Sequence, residues 1–280
     1  MKQEDQFRFV SLLALELDNG DISLPSLPDV VMKIRRLLSS EDCDFSRVSL
    51  AVSVDPVLVS RLFVFANSAF YNRANVKIET LDGAIGRLGF EVVRSTAMSL
   101  AMKQLYSSEK HKKSAQYQKA VWARGMKLSC MAFAIAALDT GLNQETAFLC
   151  GLMHEVGNLY ILTKAEEFPE LLGDSESLKA VMKEWNPQIS KSIVESWGFP
   201  DVVVESTDPV SYASHDIDTP ANLVDVMVTA KLMLGGSEEN LQELFDENLS
   251  CQKLGMNKDA AARVMATYRD KLKTMQQTLA

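Results

Sequence analysis

The residues with most chemistry to offer lie in the run Cys150-Gly-Leu-Met-His154-Glu155-Val-Gly157-Asn-Leu. A neutral imidazole and a short carboxylate on neighbouring residues can grip a divalent cation together, provided that other histidines and a distant aspartate close the coordination shell. Little is available to close it. The chain has three histidines; His111 lies in the charged run Lys110-His-Lys-Lys113 and His215 in the polar run Ser-His-Asp, and both read as solvated loop residues. His154 is expected to stand alone. The zinc-binding pattern His-Glu-x-x-His is half present in His154-Glu155-Val-Gly-Asn158, but one imidazole does not hold zinc against water. Cys150 and His154, at i and i+4, share a helix face and have the spacing of a thiolate–imidazolium pair. A cysteine in an apolar helix is more simply a small core residue. Asp55 reads as a helix cap and Asn67 as a buried hydrogen-bonding group fixing a helix end. Trp122, Trp185 and Trp197 read as packing residues at helix ends.

The elements that must position these groups are helical by periodicity. Leu27, Val30, Val31, Ile34, Leu37 and Leu38 recur at i, i+3, i+4 and i+7, with Lys33, Arg35 and Arg36 on the other faces. Ser26, Pro28 and Asp29 supply its start signal. A second helix is expected from Ser46, ending before Asp55-Pro56; the proline opens a third through Val57, Leu58, Leu62, Phe65 and Ala66. Further helical patterns cover residues 80–88, 91–105, 114–138, 143–162, 177–184, 187–197, 200–206, 220–234 and 259–275. No alternating run bounded by tight-turn residues appears, so the expected fold class is all-α. Periodicity lapses between Ser107 and Ser114, which predicts two helical subdomains. An amphipathic helix carrying Phe9, Leu12, Leu13 and Leu17 precedes them.

Composition bounds the function. A net charge of −8 over 280 residues repels phosphate backbones, which disfavours nucleic acid as a partner. The basic bunch from Lys103 to Lys119 is the local exception, read as a solvated loop. Four scattered cysteines, Cys43, Cys130, Cys150 and Cys251, argue against a disulfide framework and fit a reducing cytoplasm. The N-terminus lacks the pattern of a signal peptide. The longest uncharged run, Leu128 to Leu138, is far shorter than the roughly 20 residues of a bilayer crossing, so no membrane partner is expected.

Several motifs, in order, resemble the HDOD domain: Leu24-Pro-Ser-Leu-Pro-Asp-Val-Val31, Val54-Asp-Pro-Val-Leu58, Arg61-Leu62, Ala66-Asn-Ser-Ala-Phe-Tyr71 and Ala84-Ile-Gly-Arg-Leu-Gly89. Cys150 to Gly157 matches that family's His-Asp step, and Glu195-Ser-Trp197-Gly-Phe-Pro200 its Trp-Gly-Leu-Pro turn. HDOD domains are a bacterial offshoot of the HD-superfamily phosphohydrolases, found mostly in signalling proteins and largely without the enzymatic residues of their relatives. The resemblance implies an HD-like multi-helical fold. It also implies which metal-ligand positions are altered. The first histidine is Arg124, in Trp122-Ala-Arg124-Gly125, and the His-Asp pair is His154-Glu155, whose added methylene moves the carboxylate. The next histidine is Asn186, the His-His region reads Thr207-Asp208-Pro209, and the closing aspartate is Lys231, whose ammonium opposes a divalent cation. Arg124 and Lys231 are placed to supply positive charge internally, pairing with Glu155.

The resulting reading is a non-enzymatic bacterial signal-transduction domain that binds a protein partner, or a small ligand, with no metal or other cofactor. The alternative is a metal-dependent phosphohydrolase acting on a phosphoester or nucleotide, with His154 and Glu155 as surviving ligands. The expected layout is an N-terminal helix over residues 1–22, an HDOD domain over 23–236 with subdomains at about 23–107 and 114–236, and a helical extension over 237–280. The third helix of the first subdomain is apolar on more faces than one core contact needs. Either the second subdomain covers that excess, or Phe70, Tyr71 and Arg73 are aromatic and arginine anchors of a partner-binding groove.

Overall fold

The computed structural model of the chain describes residues 2–20, 22, 27–38, 40, 43–107, 112–138, 140–214, 216–236 and 240–279. His111, His215 and the start signal at Ser26 lie outside the described residues. Regular structure among those described is helical throughout: α1 (Lys2–Asp18), α2 (Asp29–Leu38), α3 (Phe45–Ser53), α4 (Pro56–Ala66), α5 (Leu81–Tyr106), α6 (Ala115–Ala136), α7 (Gln144–Met153) and α8 (Val156–Ala165). There follow α9 (Pro169–Leu172), α10 (Ser175–Ser196), α11 (Asp201–Glu205), α12 (Pro209–Tyr212), α13 (Leu223–Gly235), α14 (Leu241–Glu247), α15 (Leu249–Lys253) and α16 (Lys258–Leu279). The fold is all-α. No single helix among the described residues is long and apolar enough to cross a membrane.

The chain divides into two compact units, Met1–Leu24 with Tyr106–Met265, and Pro25–Leu105 with Ala266–Ala280. In the second unit Asp55 caps α4, its carboxylate accepting from the amides of Val57 and Leu58 at 2.9 and 3.0 Å. Asn67 closes the same helix. Its amide donates to the carbonyls of Phe63 and Ile78 and its oxygen accepts from the Ile78 amide, so one side chain ties the helix end to the following loop. Arg87 holds that loop from the other side through the carbonyls of Ala66 and Val76. Helix α5 is broken at Gly89, whose φ is 78°.

In the first unit α6 packs against α7 and α13, and α10 against α8. Helix α1 belongs to this unit: Phe9 is fully buried with its ring edge-on to Phe168, and Glu16 binds Tyr160 and Lys164 on α8. Two expectations are corrected here. The single helix expected over residues 143–162 is two, α7 and α8, separated by a turn at His154 and Glu155. The two helices expected over 177–184 and 187–197 are one, α10, which continues through Pro187. The short helices α9, α12, α14 and α15 have too few turns to leave a periodic signal.

Candidate functional site

The break between α7 and α8 is fixed by side chains of α10. The Asn186 amide donates to the His154 carbonyl at 2.9 Å, and its oxygen accepts from the Asn158 amide N–H at 2.9 Å. The Ser190 hydroxyl accepts from the Gly157 amide at 2.8 Å. The backbone groups a continuous helix would pair internally are thus satisfied across the interface. Such closeness requires glycine. A Cβ on Gly157 would lie 2.6 Å from the Asn186 carbonyl oxygen, and one on Gly151 would lie 2.5 Å from the Ser129 Cα on α6.

The turn carries two consecutive polar side chains into the interior: His154 is 4% exposed and Glu155 7%. Arg124, beside the buried Gly125 on α6, meets Glu155 with a two-pronged pair. Its Nε donates to Oε1 at 2.9 Å and an Nη donates to Oε2 at 2.6 Å. Glu155 Oε2 also accepts from the Asn158 side-chain amide at 2.7 Å. Burial alone would push the Glu155 carboxyl up, but the hydrogen bonds and charge of Arg124, helped by Asn158, hold it below its usual range. The same pair raises Arg124 above its ordinary value against the cost of burial. The carboxylate is therefore ionised and its oxygens are engaged.

His154 is neutral for opposite reasons. Burial first, and then the positive charge of Lys231, push its imidazole down to about 4, against the pull of Glu155. Nδ1 faces the Ser206 carbonyl at 3.3 Å, which assigns it the proton. Lys231 is lowered by burial while the charges of Glu155 and Asp208 oppose that shift. Its ammonium thus acts among the same groups a divalent cation would need. Tyr106 completes the shell, donating to the Glu155 backbone carbonyl at 2.9 Å. Burial, reinforced by the Glu155 charge, keeps its phenol protonated. Its ring packs on Trp122 at 5.7 Å between centroids.

These residues do not fit a bound divalent metal. Arg124 and Asn158 already take three of the carboxylate's lone-pair positions and the guanidinium neutralises its charge, and an ammonium nearby repels a cation. No group of three or more His, Cys, Asp or Glu side chains among the described residues is arranged to hold a metal. The structure brings Arg124, His154, Glu155 and Asn186 together, with Lys231 and Asp208 acting through their charge. Sequence reasoning missed Asn158, Ser190 and Ser206; only the polar positions within apolar helices pointed to them. Cys150 is fully buried on α7.

Phe70, Tyr71 and Arg73 lie in the other unit, after α4. Arg73 is exposed, while Phe70 and Tyr71 are half-buried. The Tyr71 ring packs on Phe65 at 5.3 Å and on Phe70 at 4.9 Å, and its hydroxyl accepts from the Lys271 ammonium at 2.8 Å. Lys271 of α16 thus lies against Phe65, on α4, and against the Phe70 and Tyr71 rings that follow it.

The HDOD domain family model matches residues 24–211. This chain belongs to the HDOD domain family. The fold agrees: the solved structure of a "Putative metal-dependent phosphohydrolase" from Shewanella amazonensis SB2B superposes with a TM-score of 0.74 at 24% identity, over 95% of this chain and 99% of that one. A "Putative signal transduction protein" from Marinobacter aquaeolei VT8 gives 0.64 at 22% identity, over 99% and 65% respectively. An uncharacterized protein of Treponema pallidum (strain Nichols) is 23% identical over 217 residues. This HDOD chain spans 40% of the length of that curated relative.

Proposed function

We propose that this HDOD chain is a non-enzymatic signal-transduction module of the bacterial cytoplasm that binds a protein partner, or a small ligand, on an HD-like scaffold. The carrying observation is the Arg124–Glu155 pair. It uses the one carboxylate next to the one described histidine as an internal salt bridge, while the charge of Lys231 acts on the same two residues. The polar centre then serves the fold, holding α6, the α7–α8 turn and α10 in register, instead of activating water. The name of the Marinobacter relative is in line with this reading. The Shewanella relative's name favours the other, hydrolysis of a phosphoester or nucleotide through His154 and Glu155.

Hydrolysis of a generic phosphodiester, bis(p-nitrophenyl) phosphate, separates the two when assayed with manganese, iron or magnesium. Neither the native chain nor Glu155→Asp should hydrolyse it, because one shortened carboxylate leaves Arg124, Asn186 and Lys231 in place. Metal-dependent turnover that disappears in His154→Ala would overturn the proposal.

A further inference from the structure

The basic bunch that reads from sequence as a solvated loop runs on into the outer face of α6. Between Lys110 and Leu138 the chain holds six lysine or arginine residues and no acidic one, although acidic residues outnumber basic ones 37 to 29 overall. Lys119, Ala120, Ala123, Arg124 and Lys127 are exposed at the spacing of one helix face, and Lys112 and Lys113 are exposed just before α6 begins. By contrast α10, of the same length, interleaves three glutamates with three lysines. The ammonium groups of Lys112, Lys113, Lys119 and Lys127 have no hydrogen-bond or ion-pair partner among the described residues. This arrangement works against α6 itself. Cations at its start oppose the positive end of the helix dipole, and Arg124 and Lys127 are like charges at i and i+3. Glu166, the carboxylate that reaches the start of α6, accepts from the Ser114 amide and hydroxyl at 3.0 and 2.7 Å. Local rules broken with no internal gain point to a surface that serves a partner.

We propose that this face of α6 is the docking surface for an acidic helical segment of a protein partner, an inference that rests on the reading of the chain as a partner-binding module. Two arguments select that partner among anions. The first is geometric. Lys119 and Lys127 stand about 12 Å apart along the axis, roughly two turns, and the exposed positions between them, Ala120 and Ala123, carry only methyl groups. A helix with glutamates on one face lays its carboxylates along that row. The second is electrostatic. A nucleic acid or an anionic membrane extends past the stripe and meets the field of a chain whose net charge is −8. A short segment confined to the stripe senses mainly the charges within about one Debye length, ~8 Å, and so the lysines beneath it. Arg124 joins the stripe to the buried centre. Its guanidinium holds Glu155 while its side chain is 55% exposed, so a carboxylate docked there touches the group that fixes the α7–α8 turn.

Fluorescence anisotropy on the full-length chain, with a labelled synthetic helix carrying glutamates along one face, tests the stripe at about 50 mM salt. The native chain should bind it. Lys119→Glu/Lys127→Glu should bind roughly tenfold more weakly or worse. Lys179→Glu/Lys183→Glu, an equal change of charge at exposed positions of α10, should bind as the native chain does. A peptide of the same composition with its glutamates spread around the helix should bind less well. Absence of binding, equal weakening by the two double variants, or equal binding of the two peptides would overturn the proposal. Tighter binding of an oligothymidylate or of phosphatidylserine vesicles than of the peptide would overturn it too. Should the charge reversal fail to fold, Lys119→Gln/Lys127→Gln gives the same comparison. Hydrolysis of bis(p-nitrophenyl) phosphate by a chain that still binds the peptide would sink the signalling reading and leave the stripe; absence of both would sink the stripe and leave the reading.

Discussion

At the scale of single residues, His154 and Glu155 are neighbours in the chain held in opposite electrostatic states. The imidazole, lowered to about 4 from 6.5, is neutral when folded. The unfolded chain therefore binds more protons than the folded one between those values. The His154 contribution is complete above about pH 6.5 and is lost as pH falls toward 4, the loss reaching about 3 kcal/mol at the low end. Urea unfolding of His154→Gln should show a shallower loss of stability across that window than the native chain. Parallel pH profiles would contradict the burial argument. For the Arg124–Glu155 pair, Arg124→Ala leaves an engaged carboxylate buried with only Asn158 to satisfy it. With the Arg124 side chain 55% exposed, water replaces part of the loss, so the expected cost is about 1–3 kcal/mol. A double-mutant cycle with Glu155→Gln should give a coupling above about 1 kcal/mol. Additive effects would mean that the pair is incidental. The family resemblance leads one to expect this pairing from the sequence, whereas helical periodicity alone does not. The pairing depends on α6 passing close over the α7–α8 turn, which brings together residues 31 positions apart in the chain.

At the scale of elements, local sequence locates most helices but misreads two junctions. Apolar residues run from Phe148 to Leu162 with little polar interruption, so periodicity continues across His154 although the helix does not. The break comes from Asn186 and Ser190 reaching in from α10, a long-range cause that no local pattern encodes. Pro187 is the converse case: a proline usually ends a helix, and here α10 carries on past it. By contrast Asp55-Pro56 and Asn67 carry their causes locally, in a cap and a helix end, and are readable for that reason. The close approach of α8 to α10 gives a sharp expectation. Gly157→Ala places a Cβ 2.6 Å from the Asn186 carbonyl oxygen. It should lower stability by at least about 1–3 kcal/mol, with the amides of Asn158 and Gly157 losing protection first. A thermal midpoint within a degree or so of the native chain would show that the turn relaxes freely.

At the scale of the whole molecule, the HD-like fold is preserved around a centre whose charges are balanced from within. The motifs from Leu24 to Gly89 and around His154 are enough to recognise the family, because they are contiguous in the chain. The meeting of Lys271 with Tyr71 is not legible, since it is a contact spanning 200 positions of the chain. On the reading proposed above, Arg124, Asn186 and Lys231 make this centre a structural ion-pair cluster instead of a metal site. Metal content of the purified full-length chain, measured after incubation with iron, manganese or zinc and removal of the excess, tests it most directly. The account predicts content far below stoichiometric and indistinguishable from that of His154→Ala; a stoichiometric metal that His154→Ala removes would contradict it.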